Sequence, residues 1–206
     1  GRFVKNQRSI PVAACTFNAG SQSDIRVTSL KVTGQGDADA GNSVFDPSEF
    51  DDVVNSCGVY DAGVQVGNRL APSALGTMTF SGLSLLLPRG TSKTLEVRCN
   101  ADSNVAKTTD RVSIGIDTNE DIAAQDQDGN TVTASRATSV DTNATTSPVI
   151  AQSIRANGTL TVAVSNQRPS TILVADGATW QVMARYRADA QYEDMNIDYV
   201  GVTSTG

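Results

Sequence analysis

The chain has 206 residues, of which 39% are hydrophobic and only 5% aromatic, and its formal net charge is −6. This acidic balance leaves no basic face for a phosphate backbone and argues against nucleic acid as a partner. Histidine is absent, which removes the commonest general base and the usual transition-metal ligand and argues against an enzyme. No apolar run reaches the ~18 to 20 residues of a membrane-spanning helix, so no membrane span is expected in this segment.

Short segments in which apolar and polar residues alternate recur along the first two thirds of the chain. The strands predicted from this alternation are 9–19, 25–33, 53–66, 77–87, 92–99, 112–116 and 131–134. The segment 53–66 reads as two short strands or as one bent strand, with Asp61-Ala62-Gly63 as its turn. Because the strands are evenly spaced and no helical period occurs, we predict an all-β fold, an Ig-like β-sandwich over residues 1–135.

A long acidic loop and a polar connector separate the regular segments. Within the loop at 34–52, the sequence from Pro47 to Phe50 predicts one helical turn, which Asp46 can cap. The connector is predicted at 136–157, where Ser, Thr and Asn dominate without periodicity at first. Alternation then restarts at Leu160, so that 158–206 are predicted to hold the opening strands of a second, repeated β-sandwich unit.

The end of the chain resembles its beginning. Segment 173–206 aligns with segment 3–36, and each copy contains an alternating strand, a polar loop that ends in aspartate and a second alternating strand. Such repetition is typical of tandem arrays, so we expect a complete unit followed by part of the next. The second copy carries large apolar residues that need a partner surface, namely Trp180, Met183, Tyr186 and Tyr199.

Several longer phrases of the chain carry a family likeness. They are SCGVYDAGVQVG at 56–67, GTMTFSGLSLLLPRGTSKTLEVRCNAD at 76–102, DRVSIGI at 110–116 and QDQDGNTVTA at 125–134. Together they resemble the Ig-like repeat domains of bacterial and archaeal cell-surface or S-layer-like proteins, over about 9–135 and again over 159–206. The resemblance implies an extracellular sandwich that serves as one repeat of a larger protein. The cysteines and the acidic 34–52 loop depart from the family's pattern.

Carboxylates gather in the predicted turns and are the candidate metal ligands. Asp37 and Asp39 lie in one loop, and Asp126 and Asp128 lie in another. Calcium takes six to eight oxygen ligands and is the candidate cofactor for these four residues. Neither loop extends to the EF-hand pattern, which needs a glutamate at its twelfth position. The alternative is that aspartate, asparagine and glycine simply form turns here.

Three cysteines lie about forty residues apart, and no CxxC pair supports a zinc site. Three interpretations remain open, which are buried thiols, one disulfide with a leftover thiol, and a crosslink between chains. Cys57–Cys99 is the preferred disulfide, which leaves Cys15 unpaired. The sequons at Asn143 and Asn157 are candidate glycosylation sites if the chain is secreted.

These features predict a structural protein of the extracellular space or cell surface. Its partners would be copies of itself, bound through strand or domain docking in a lattice, filament or stalk. The alternative is an adhesin or carbohydrate-binding module whose specificity lies in the 34–52 loop. The aromatic residues available to that loop are Phe45 and Phe50.

Overall fold

The computed structural model of the chain describes residues 2–37, 44–103, 110–135, 152–155, 157–167, 182, 184–191, 193–201 and 203. Contacts divide the chain into two compact units, Gly1–Ala156 and Asn157–Gly206. In chain order the strands are β1 (Arg2–Val4), β2 (Ile10–Asn18), β3 (Ile25–Asp37), β4 (Val54–Asp61), β5 (Val64–Leu70), β6 (Thr77–Leu87), β7 (Ser92–Ala101), β8 (Asp110–Gly115), β9 (Ile122–Asp126), β10 (Thr131–Thr133), β11 (Gln152–Arg155), β12 (Thr159–Val164) and β13 (Tyr186–Gln191).

The first unit is a β-sandwich, which confirms the predicted all-β fold. Its smaller sheet is antiparallel and has the strand order β2-β7-β4-β5. The hairpin between β4 and β5 turns at Ala62 and Gly63, whose φ angles are 48° and 83°. The predicted segment 53–66 is therefore two strands, and the second continues to Leu70.

The larger sheet is organised around β3, which is paired along both edges. One edge carries β6, opposite Ile25 to Thr33. The other edge carries β9 along the first part of β3 and β8 along its last part, opposite Thr33 to Asp37. Since β8 and β9 follow each other along one edge, they act as a single strand interrupted by the 3₁₀ turn Asn119–Asp121. Strand β10 adds to β9, β11 adds to β8, and β1 adds parallel to β11.

The alternation in the sequence places one apolar row from each sheet in a common core. Strand β6 shows the pattern most clearly, because Met78, Phe80, Leu83, Leu85 and Leu87 are buried while the residues between them are mostly exposed. The core also contains buried residues of the other sheet, such as Ile10, Val12, Val59, Leu95 and Val97. Packing of these two rows is what holds the sheets together.

The acidic loop contains two consecutive short helical turns, and the second of them packs into this core. Asp46 caps the 3₁₀ turn Pro47–Glu49 by accepting a hydrogen bond of 2.7 Å from the Ser48 backbone N–H, as the sequence predicts. The following turn α1 (Phe50–Val53) buries both Phe50 and Val53. The Phe50 ring lies 2.5 Å from the place where a side chain at Gly34 would begin, so this position on β3 requires glycine.

Cys57 and Cys99 form a disulfide between neighbouring strands of the smaller sheet. They face each other directly across β4 and β7, with their Cα atoms 4.0 Å apart, and both are buried. The bond closes a loop of 42 residues that contains β5 and β6. This is the pair preferred from the sequence, and Cys15 is the cysteine left unpaired.

Part of the predicted connector belongs to the first unit. Residues Gln152–Arg155 form β11, which lies between β8 and β1 in the larger sheet and buries Ile154. The connector predicted at 136–157 is therefore wrong for residues 152–155, which form a strand of the first unit. The strand leaves little trace in the sequence, because Ile154 is the one strongly apolar residue among its four.

The second unit contains an antiparallel pair of strands, β12 and β13, which is called the hairpin below. Strand β12 lies within the segment where alternation restarts, as predicted. Residues 195–201, which align with the start of β3, are not in a strand. A strand needs a ladder partner, and β3 has three such partners in the first unit. Trp180 and Met183 lie outside the described residues.

Removal of the disulfide should destabilise the first unit. We expect the double substitution of Cys57→Ala and Cys99→Ala to lower the free energy of unfolding by about 2–4 kcal/mol, because the crosslink restricts the unfolded chain over a 42-residue loop. Urea denaturation followed by far-UV circular dichroism measures this change. The Cys15→Ser variant is the control, and an equal loss there would contradict the assignment.

Candidate functional site

Asp37 is a structural ion-pair partner in the larger sheet. It lies at the end of β3 and is buried. Its carboxylate accepts two hydrogen bonds from Arg111 on the facing strand β8, one of 2.9 Å from Nε and one from Nη2. The Arg111 guanidinium also lies 4.9 Å from the centre of the Phe45 ring. Arg111 therefore compensates the charge that makes Asp37 attractive as a metal ligand.

Asp126 and Asp128 lie in the turn between β9 and β10. The Asp126 carboxylate accepts hydrogen bonds from the backbone N–H groups of Asp128 and Asn130, at 2.9 and 2.8 Å. The amide side chain of Asn130 also donates to it at 3.0 Å, and together these bonds lower the pKa of Asp126. Asp126 is thus occupied in holding its own turn, which is the ordinary role of aspartate at such positions.

Of the predicted calcium ligands, Asp126 and Asp128 lie in one turn, and Asp37 lies far from both. Asp37 lies at one end of β3, whereas Asp126 faces Ile25 at the other end, roughly 40 Å away at about 3.3 Å per residue. Within the part of the chain that the structure describes, no group of three or more carboxylates or cysteines is placed to hold a metal ion. Asp39 lies outside the described residues.

Asp121 fastens the interruption between β8 and β9 to the centre of the sheet. Its carboxylate accepts a 2.9 Å hydrogen bond from the Thr118 backbone N–H and a 3.0 Å bond from Nζ of Lys31 on β3. Burial alone raises the pKa of Asp121, but the bonds from Thr118 and Lys31 outweigh it and hold the pKa below its usual range. The contact holds the 3₁₀ turn Asn119–Asp121 against β3.

The sequon residue Asn157 is exposed, two residues before the start of β12. Asn143 lies outside the described residues. The two aromatic residues of the acidic loop, Phe45 and Phe50, are buried in the first unit, with 1% and 0% exposure. The loop therefore does not present them as a stacking surface for a sugar ring.

An apolar groove runs along one side of the sandwich, between β2 of the smaller sheet and β9–β10 of the larger sheet. We call it the edge groove. Its cavity volume is about 640 Å³, and partly exposed apolar side chains line it, namely Cys15, Phe17, Ile25, Ile122 and Val132. None of the residues that line it is charged. Burial raises the pKa of the Cys15 thiol, which therefore behaves here as a small apolar side chain.

Both walls of the edge groove are sheet edges. Among the described strands, β2 pairs only with β7 in the smaller sheet, and β10 pairs only with β9 in the larger one. The backbone of β2 on its outer side is therefore open to pairing with a further strand. The sequence predicts β2 but does not show that it is an edge, so reasoning from the sequence missed this groove.

The hairpin β12–β13 has one polar and one apolar face. Its register places Leu160, Val162 and Val164 on the same face as Ala190, Ala188 and Tyr186. These side chains are uncovered, since Val162 is 60%, Val164 62% and Tyr186 64% exposed. The opposite face carries threonines and the Arg187–Asp189 ion pair. The uncovered apolar face is the second candidate binding surface.

Comparison of the chain with models of protein families, with curated proteins and with solved structures gives no match. Among the described residues, no helix is long and apolar enough to cross a membrane.

The Asp37–Arg111 pair gives a test of the larger sheet. We expect Asp37→Ala to lower the free energy of unfolding by about 1–2 kcal/mol, because it leaves the partly buried Arg111 without its anion. Glu96→Ala is the matched control, since it removes an ion pair on the more exposed outer face of the same unit and should cost at most about 1 kcal/mol. Urea denaturation measures both, and the reverse order would contradict this role.

Asp121 gives a test by pH. Its pKa is lowered on folding, so its contribution to stability is present above the unfolded value of about 3.9 and is lost as the pH falls through the folded pKa. Urea midpoints measured between pH 6 and pH 2 should therefore fall less steeply at the acid end for Asp121→Asn than for the parent chain. The exposed Asp128→Asn variant is the control. Identical acid slopes for Asp121→Asn and the parent chain would exclude this linkage.

Proposed function

We propose that the chain is a structural protein of the extracellular space or cell surface, one repeat of a lattice, filament or stalk that assembles from copies of itself. The uncovered apolar face of the hairpin β12–β13 is the observation that carries this proposal. A two-stranded hairpin is only marginally stable in water, and it gains stability when a further layer covers its apolar face. Exposed side chains such as Val162 and Val164 supply that face.

The repeat in the sequence supports the same function. An array of similar units offers the same acceptor and donor surfaces many times, so that weak individual contacts add up to a stable assembly. The acidic net charge of −6 keeps the chain soluble and favours contact through patches that add no like-charge repulsion.

The disulfide supports an extracellular location. Disulfides persist mainly in oxidising surroundings, such as the space outside the cell. The Cys57–Cys99 bond links two strands of the smaller sheet, β4 and β7, at one directly opposed pair of their register. This is a suitable arrangement for a sandwich that carries mechanical load.

The alternative function, an adhesin or carbohydrate-binding module, depends on aromatic residues displayed near the 34–52 loop. Phe45 and Phe50 are buried, so the described part of that loop offers no such surface. No observation favours this alternative over self-assembly.

Sedimentation velocity over a concentration series tests the proposal. We expect the chain to associate with rising concentration and expect Val162→Asp to weaken this association by at least tenfold, because it places a charge on the apolar face. Ala163→Asp is the matched control, since it adds the same charge on the opposite face, across from Arg187.

A chain that stays monomeric at all concentrations would contradict the proposed function. So would equal effects of Val162→Asp and Ala163→Asp. A glycan-array signal from this monomeric chain would support the adhesin instead.

A further inference from the structure

We propose that β12 of one copy inserts into the edge groove of a second copy, where it adds a strand to the open edge of β2. This inference rests on the proposed self-assembly and names its donor and acceptor. The acceptor is the groove lined by Cys15, Phe17, Ile25, Ile122 and Val132. The donor is the segment Thr159–Val164, in which every residue is exposed.

Along Ala13 to Asn18 of β2, and along β12, the chain lacks the features by which proteins protect an edge from pairing. Open edges are usually short, charged, or distorted by a bulge. Among the described edge strands, β10 has three residues, β5 carries Arg69 and a glycine with positive φ, and β6 is broken by Gly82 at φ 68°. Strand β2 is nine residues long and carries no charge. Its ladder with β7 shifts register between Pro11 and Ala13, and from Ala13 to Asn18 it is regular. The six residues of β12 carry none either.

The absence of charge on both the edge groove and β12 supports their pairing. Every copy of the chain has the same net charge of −6, so two copies repel each other, and an uncharged contact surface adds no like-charge repulsion of its own. The groove lining contains no charged residue, and β12 contains none. The other strand of the hairpin, β13, carries Arg187 and Asp189, and burial of these charges in an apolar groove would cost free energy. We therefore assign β12 as the donor strand.

The side-chain pattern of the donor matches the groove. Along β2, Cys15 and Phe17 pack toward the core while Ala14, Thr16 and Asn18 are exposed, so the outer edge has a clear inward face. A strand added beside β2 alternates in the same way, and it would direct Leu160, Val162 and Val164 inward together. The volume of the edge groove, about 640 Å³, lies within the roughly 300–1,000 Å³ that is typical of ligand-binding pockets.

Donor and acceptor lie in different units of the chain, and the symmetry of the assembly follows from this. The contact is heterologous, because one patch of a copy binds a different patch of its neighbour. A copy whose groove is filled still presents its own β12 to a further copy. Contacts of this kind extend into open chains unless the rotation between neighbours closes a ring.

Disulfide trapping in the full chain tests the inference, because Cys15 already lines the groove. Leu160→Cys, Val162→Cys and Val164→Cys each place a thiol on the inward face of the donor, whereas Thr161→Cys and Ala163→Cys place one on the opposite face. Under a mild copper-catalysed air oxidation, we expect at least one inward variant to form dimers and longer ladders on non-reducing gels at least tenfold faster than both outward variants. Adding Cys15→Ser should abolish these bands.

The outcomes separate this inference from the proposed function. Association that Val162→Asp weakens, without any crosslink that depends on Cys15, would keep self-assembly and overturn the groove as its acceptor. Equal crosslinking by inward and outward variants would overturn it as well. A Cys15-dependent crosslink within a single chain, seen as a band at monomer size, would overturn the inference, because β12 would then fill the groove of its own chain and not that of a second copy. A chain that never associates would refute both proposals.

Discussion

A β-sheet with one apolar face is stable in water only when another layer covers that face. The first unit meets this requirement internally, because the apolar rows of its two sheets pack against each other in one core. The hairpin β12–β13 does not meet it, and residues such as Val162 and Tyr186 remain exposed. The difference between these two sheets is the physical basis for the proposed assembly.

The edge groove depends on how β3 distributes its partners. Because β8 and β9 share one edge of β3, the strands that add to them, β11 and β10, occupy different stretches of that side of the sheet. Strand β10 has three residues, and residues of β10 and β2 line the edge groove. Asp121 helps to maintain this arrangement, since it fastens the interruption between β8 and β9 to Lys31 on β3.

The edge groove and the hairpin are complementary in the properties that govern strand addition. One offers an open backbone edge above an apolar floor, and the other offers an exposed strand with alternate apolar side chains. Both are neutral within an acidic chain, so their meeting avoids the repulsion that the rest of the surface generates. The buried disulfide and the Asp37–Arg111 pair crosslink strands of the acceptor unit without occupying either surface.

Local chemistry in the sequence by itself determined the all-β class, most strands of the first unit and the helical turn capped by Asp46, because alternation and capping act between near neighbours. It also singled out Cys57 and Cys99 as the preferred disulfide. The tertiary structure alone decided that β11 belongs to the first sheet, that Asp37 and Asp126 lie at opposite ends of β3, and that β2 is an open edge. These facts depend on which distant strands pair, and the side-chain pattern of a strand specifies its faces but not its neighbours.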